Sequence, residues 1–214
     1  LGKLYLEGKA VEKDAPRGLQ YLEQAVKEEN PFAQYLLGKT LLKGKDVEAD
    51  SIRGEQLLAA SAAQGNLYAA YILGKAYLDG AKLVQNISRS LELLGFVAGQ
   101  NLSAAQYTLG KLYAEGTVVP KNIPAALELL TKAAMQGNPY AGYRLGKLYL
   151  AGEDIPKDVP AALYWLTKSA EQGNPYAGYQ LGRLYLYGKE VDRDIEKTVA
   201  LLTASAPQGN PYAV

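Results

Sequence analysis

The chain contains no histidine and no cysteine. That excludes Ser-His and Cys-His nucleophilic pairs, histidine metal ligation and disulfides. Any catalysis would fall to carboxylates, lysine, tyrosine or serine alone. Methionine (1), tryptophan (1) and phenylalanine (2) are scarce. No apolar run approaches the ~18 residues that a membrane-crossing helix needs. Neither charge sign is in excess: 23 Lys+Arg stand against 22 Asp+Glu in 214 residues, a net charge of +1. That balance argues against a bulk polyelectrolyte partner, while leaving room for a local basic stripe. The hydrophobic fraction of 48% and charged fraction of 21% describe a folded chain. Glycine (22) and tyrosine (17) are abundant. Usage skewed in this way points to one motif copied many times.

Leu-Gly-(Lys/Arg) recurs at Leu1-Gly2-Lys3, Leu37-Gly38-Lys39, Leu73-Gly74-Lys75, Leu109-Gly110-Lys111, Leu145-Gly146-Lys147 and Leu181-Gly182-Arg183, always 36 residues apart. A fixed period of this size marks a repeat array built from one supersecondary unit. The units run 1–29 (partial), 30–65, 66–101, 102–137, 138–173 and 174–209, with 210–214 opening a further one.

Each unit reads as two helices. Asn138 is an N-cap, and Pro139 takes the first helical position, where a missing N–H costs nothing. The helix runs to about Ala151 and Gly152 ends it in a left-handed conformation. After a short loop, Asp158 caps a second helix ending near Gln172. The punctuation recurs in columns. The stop column is Gly8, Gly44, Gly80, Gly116, Gly152 and Gly188. One cap column is Asp14, Asp50, Asn86, Asn122, Asp158 and Asp194. The other is Asn30, Asn66, Leu102, Asn138, Asn174 and Asn210, broken at Leu102. Glu29 and Asn101 replace a stop glycine, Leu102-Ser103 replaces Asn-Pro, and Pro207 should fray the final turn. These departures nominate residues 99–104 as the softest stretch.

Leu22, Leu58, Leu94, Leu130, Leu166 and Leu202 never vary and mark the buried stripe of the second helices. Ala25, Ser61, Val97, Ala133, Ser169 and Ser205 are small, as close helix approach requires. Gly146 and its equivalents sit inside helices at about 1 kcal/mol each against alanine, so a neighbouring helix should lie against them. The always-apolar loop position (Val11, Val47, Leu83, Val119, Ile155, Val191) reads as a plug pinning the loop to the core.

The string Ala141-Gly142-Tyr143-Arg144-Leu145-Gly146-Lys147-Leu148-Tyr149-Leu150-Ala151-Gly152, followed by an apolar loop residue, a capping Asp and a second helix ending Ser169 to Asn174, resembles the Sel1-like repeat, a relative of the tetratricopeptide repeat. The resemblance covers the whole chain. It implies an all-α, right-handed α-solenoid whose first helices line a concave face and hold proteins together. One departure stands out. The family loop commonly carries a second glycine, replaced here by Ala10, Asp46, Lys82, Val118, Asp154 and Glu190. The wording L-G-K-L-Y-L also resembles repeat tracts of bacterial mobilisation relaxases. Leu1 and Val214 both fall within first helices of the repeat register, which suggests a piece of a longer bacterial protein, expected in the cytoplasm and monomeric or weakly associating end to end.

A helical wheel locates the free face. With Leu145 at 0° and 100° per residue, Leu148 and Tyr149 fall within about 60° of it, while Lys147, Tyr140 and Tyr143 fall opposite. Three columns result: Lys3, Lys39, Lys75, Lys111, Lys147, Arg183; Phe32, Tyr68, Ala104, Tyr140, Tyr176, Tyr212; and Tyr35, Tyr71, Tyr107, Tyr143, Tyr179. Each could serve packing or solvation; read as a site, cations and amphipathic rings fit an extended acidic or C-terminal peptide. An alternative is a nucleic-acid- or complex-binding module of a conjugative mobilisation protein, with rings stacking on bases. Acids such as Glu7, Asp79 and Glu115 at the ends of the same helices oppose it. Catalytic, metal and cofactor sites find no support. Glu28-Glu29 and Glu153-Asp154 read as solvated pairs, and the glycines are helix stops rather than a phosphate loop.

Overall fold

The computed structural model describes residues 1–45 and 47–205, so Asp46, Pro207, Asn210, Tyr212 and Val214 lie outside the described residues. Contacts divide the chain into two compact units, Leu1–Gln100 and Asn101–Val214. The first holds α1 (Gly2–Glu7), α2 (Ala15–Lys27), α3 (Pro31–Lys43), α4 (Ser51–Ala63), α5 (Leu67–Asp79) and α6 (Ile87–Gly99). The second holds α7 (Ser103–Glu115), α8 (Ile123–Met135), α9 (Pro139–Ala151), α10 (Val159–Glu171), α11 (Pro175–Tyr187) and α12 (Ile195–Ser205). The described residues contain no strand. Odd-numbered helices are the first, and even-numbered the second, of successive hairpins.

The boundaries follow from local chemistry. Asn138 Oδ1 accepts from the Tyr140 and Ala141 amides at 3.1 and 3.2 Å, satisfying donors that α9 leaves free. Gly152, at φ +68°, closes the same helix, and all six stop glycines are left-handed. Asp158 then opens α10 by accepting from Ala161 N at 2.9 Å. Glu29 and Asn101 take positive φ values, +55° and +65°, where other copies have glycine. Leu102 provides no side-chain cap for α7.

Each hairpin closes on a glycine. A Cβ on Gly146 would lie 2.5 Å from Leu166 Cγ, and one on Gly38 would lie 2.9 Å from the Gly54 carbonyl oxygen. The repeated mid-helix glycine therefore serves contact between paired helices. In the first unit Gly18 and Gly54 extend the crossing from the partner side: a Cβ on either would lie 3.0 Å or less from a Leu side chain and an opposing carbonyl. Where Gly54 stands, α6 has Ser90, whose buried hydroxyl has no hydrogen-bond partner among the described residues. At the hairpin's other end, Ser61 Oγ donates to the Pro31 carbonyl and Ser169 Oγ to the Pro139 carbonyl, both at 2.6 Å. The invariant leucines Leu58, Leu94, Leu130 and Leu166 are fully buried. Among the loop plugs, Leu83 and Val119 are buried and Val47 packs against the core around Leu37.

Within each unit the hairpins stack. Second helices pack on the next first helix (α2 on α3, α4 on α5, α8 on α9, α10 on α11). First helices also approach one another, α3 with α5 and α7 with α9.

Candidate functional site: the face of the first helices

The three columns separate by depth. Tyr68, Tyr140 and Tyr176 are exposed (59, 50 and 40%), and so is Phe32. Tyr35, Tyr71, Tyr107, Tyr143 and Tyr179 are half-buried. Tyr35, Tyr107 and Tyr143 each pack against a core cluster that includes the leucine of the following first helix, respectively the clusters holding Leu73, Leu145 and Leu181. These three members of the third column thus serve inter-repeat packing.

Rings of the two tyrosine columns meet. Tyr35 meets Tyr68 with ring centroids 6.5 Å apart, Tyr107 meets Tyr140 at 6.1 Å, and Tyr143 meets Tyr176 at 6.0 Å, all tilted. Ring pairs at this separation are within the range of favourable aromatic contact, which restrains the outer ring. Burial pushes the Tyr143 phenol above its usual range, with the Arg144 cation pulling the other way.

The cations lie over the half-buried rings one turn before them. Lys39 Nζ is 5.4 Å from the Tyr35 centroid and donates to its hydroxyl at 3.2 Å. Lys75 over Tyr71 and Lys147 over Tyr143 are both at 5.9 Å. Arg183 lies between Tyr179 (5.8 Å) and Tyr187 (5.7 Å). Lys111 departs: its ammonium faces Glu115 at 3.9 Å, and Glu115 also receives Arg144 at 2.8 Å. An ammonium over a ring keeps its charge available to an incoming carboxylate, whereas one beside Glu115 is partly neutralised.

Several structural residues were not visible as such in the sequence. Gln64 Nε2 donates to Gln34 Oε1 (2.9 Å) and to the Glu29 carbonyl (3.1 Å). Gln136 Nε2 does the same toward Gln106 (2.7 Å) and Asn101 Oδ1 (3.1 Å). These bonds tie the end of a second helix to the positive-φ residue that just precedes its own hairpin. The replaced loop glycines also find a use: Asp154 accepts Lys121 at 2.8 Å and Glu190 accepts Lys157 at 2.5 Å, both between neighbouring hairpins. The signal was present as side chains in columns where the family has none, but only the stacking geometry supplies the partner.

No helix among the described residues is long and apolar enough to cross a membrane. No cluster of acidic residues there could hold a metal ion.

Helical hairpins of one length, stacked in register and punctuated by the same caps and stops, define a tandem-repeat protein of the α-solenoid class. The chain belongs to the Sel1 repeat family: the Sel1 repeat model matches residues 1–30, 31–66, 67–95, 103–138, 139–174 and 175–210. Proteins of this family are typically non-catalytic scaffolds for protein interaction. Among solved structures, the chain is similar to a Sel1 repeat protein from Oxalobacter formigenes, with 31% identity and a TM-score of 0.86, over 99% of this chain and 61% of that one. It is also similar to c5321, a protective antigen of uropathogenic Escherichia coli with this repeat fold, at 28% identity and a TM-score of 0.87 over all of this chain and 46% of the other. The chain therefore spans about half to three-fifths of the length of these relatives. Immunity protein Pa5087 from Pseudomonas aeruginosa, 24% identical over 86% of this chain and 67% of that one with a TM-score of 0.59, shares the fold. No curated protein matches the sequence.

Proposed function

We propose that the chain is a non-catalytic scaffold that holds an extended, acidic peptide segment against the first-helix face of its hairpins. The observation that carries this reading is the repeated pairing of an exposed tyrosine, held by a half-buried one, with a cation over the latter's ring. Adjacent helices lie roughly 8–10 Å apart and an extended chain advances about 3.1 Å per residue, so one rung meets about every third peptide residue. Tyrosine gives contact area at low entropic cost, and lysine and arginine answer carboxylates. Partner-contacting residues in the first unit are Lys39, Lys75, Tyr68 and Tyr71. In the second they are Lys111, Lys147, Arg183, Tyr140, Tyr143, Tyr176 and Tyr179.

The test is selection of binders from a random peptide library, then titration against a Lys75→Glu, Lys111→Glu, Lys147→Glu variant. Acidic binders weakened at least tenfold by the triple substitution are expected. Unchanged affinity would remove this face from consideration.

A further inference from the structure

One rung of the second unit differs from its neighbour in a way that bears on ligand chemistry. Between α7 and α9 the rung is electrostatically closed: the Glu115 carboxylate takes Arg144 at 2.8 Å and Lys111 at 3.9 Å. One repeat later, position 115 corresponds to Ala151 and position 144 to Gln180. The carboxylate is gone, yet basic residues remain. Arg183 is exposed and held between the Tyr179 and Tyr187 rings, and Lys189 stands at the helix end. Among the described residues neither has a carboxylate partner. The nearby acid, Glu190, is already engaged by Lys157 at 2.5 Å.

These groups line one cavity of about 210 Å³ between α9 and α11. Leu150 and Leu184 give it an apolar wall, Arg183 and Lys189 a basic rim, and Gln180 an amide able to donate or accept. Two aromatic rings fix the guanidinium, so less freedom is lost when it pairs. A cation pair beside a small apolar recess suits a carboxylate and an apolar side chain carried on the same residue.

We infer that this cavity is a subsite for the C-terminal residue of a bound peptide, its free carboxylate on Arg183 and Lys189 and an apolar side chain against Leu150 and Leu184. This refines the proposed peptide-binding reading and rests on it for the direction of the chain, but the pocket is testable by itself. Chain termini and acidic side chains share the carboxylate; the apolar wall favours the terminus.

The probes are N-acetyl-leucine, N-acetyl-leucinamide and the α-amide of N-acetyl-aspartic acid, the last carrying only a side-chain carboxylate. Each is titrated into the whole chain while methyl resonances of Leu150 and Leu184 and the Arg183 Nε–H are followed by NMR. N-acetyl-leucine should shift all three saturably. The amide should bind about tenfold or more weakly, the worth of one charge-assisted pair, and the aspartate derivative about tenfold more weakly because it leaves the apolar wall of Leu150 and Leu184 unfilled. Arg183→Gln, with an unchanged circular dichroism spectrum and melting temperature, should abolish that preference, and Lys189→Gln should reduce it. Equal shifts from acid and amide, tighter binding of the aspartate derivative, or a preference surviving Arg183→Gln would each overturn the assignment. The triple lysine variant leaves the cavity intact. Loss of library binders in that variant with no acid preference here would sink the subsite alone. Acid preference here without any effect of the triple variant would sink the wider face alone.

Discussion

Glu29 sits at φ +55°, a conformation that costs an L-residue with a Cβ roughly 1 kcal/mol and glycine nothing. Glu29→Gly should therefore raise stability by about 1 kcal/mol, as a shift in urea midpoint at constant slope. Leu102→Asn should gain a similar ~1 kcal/mol by supplying the cap that α7 lacks. The mid-helix glycines separate by surroundings. A Cβ on Gly38 would press on a backbone carbonyl that cannot move aside, so Gly38→Ala should destabilise by about 1–3 kcal/mol. Gly95, in a helix with open space around it, is the control: Gly95→Ala should stabilise by about 1 kcal/mol. Tyr77 gives a pH signature. Its phenol is buried and donates to Glu55 Oε1, and burial first, then that carboxylate, pushes its pKa up to about 12. The unfolded chain releases this proton near pH 10 and the folded one near 12, so the unfolded state holds fewer protons in between. Tyr77's contribution is fully present below about pH 10 and is lost as pH rises toward about 12. Alkaline titration of tyrosine absorbance should show late-ionising phenols, and Tyr77→Phe should flatten stability across that window.

Between elements, the ion pairs Lys121–Asp154 and Lys157–Glu190 join successive loops but remain partly exposed. Pairs of this kind are worth about 0–1 kcal/mol and weaken with salt, so Glu190→Gln should change stability by less than ~1 kcal/mol. Hairpin cohesion comes instead from buried leucines and the glycine crossings, and these were the legible part of the sequence. A cap, a stop and a leucine stripe are local signals, and six aligned copies make the noise of any one copy irrelevant. The wheel also placed Lys147 and Tyr140 correctly on an exposed face. It could not show that Tyr143, on that same side, is half buried in the next hairpin's core, because a wheel describes one helix without its neighbour. The Gln64–Gln34 and Gln136–Gln106 bonds were hidden for the same reason: their partners lie 30 residues apart on paired helices and meet only when the hairpin closes.

At the scale of the molecule, one hairpin is written six times, and within each unit a second helix packs on the first helix that follows it. The exposed face of the first helices is then what natural variation can decorate without disturbing that packing. Its rows of tyrosine and cation are the basis of the functional reading. The second helices offer a competitor, since Met135 and Tyr164 are exposed on them. Amide hydrogen exchange of the chain with and without a library-selected acidic peptide decides between them most directly. Protection should concentrate on the first helices, α3 and α5 in one unit and α7, α9 and α11 in the other. Protection confined to the second helices around Met135 and Tyr164 would contradict it.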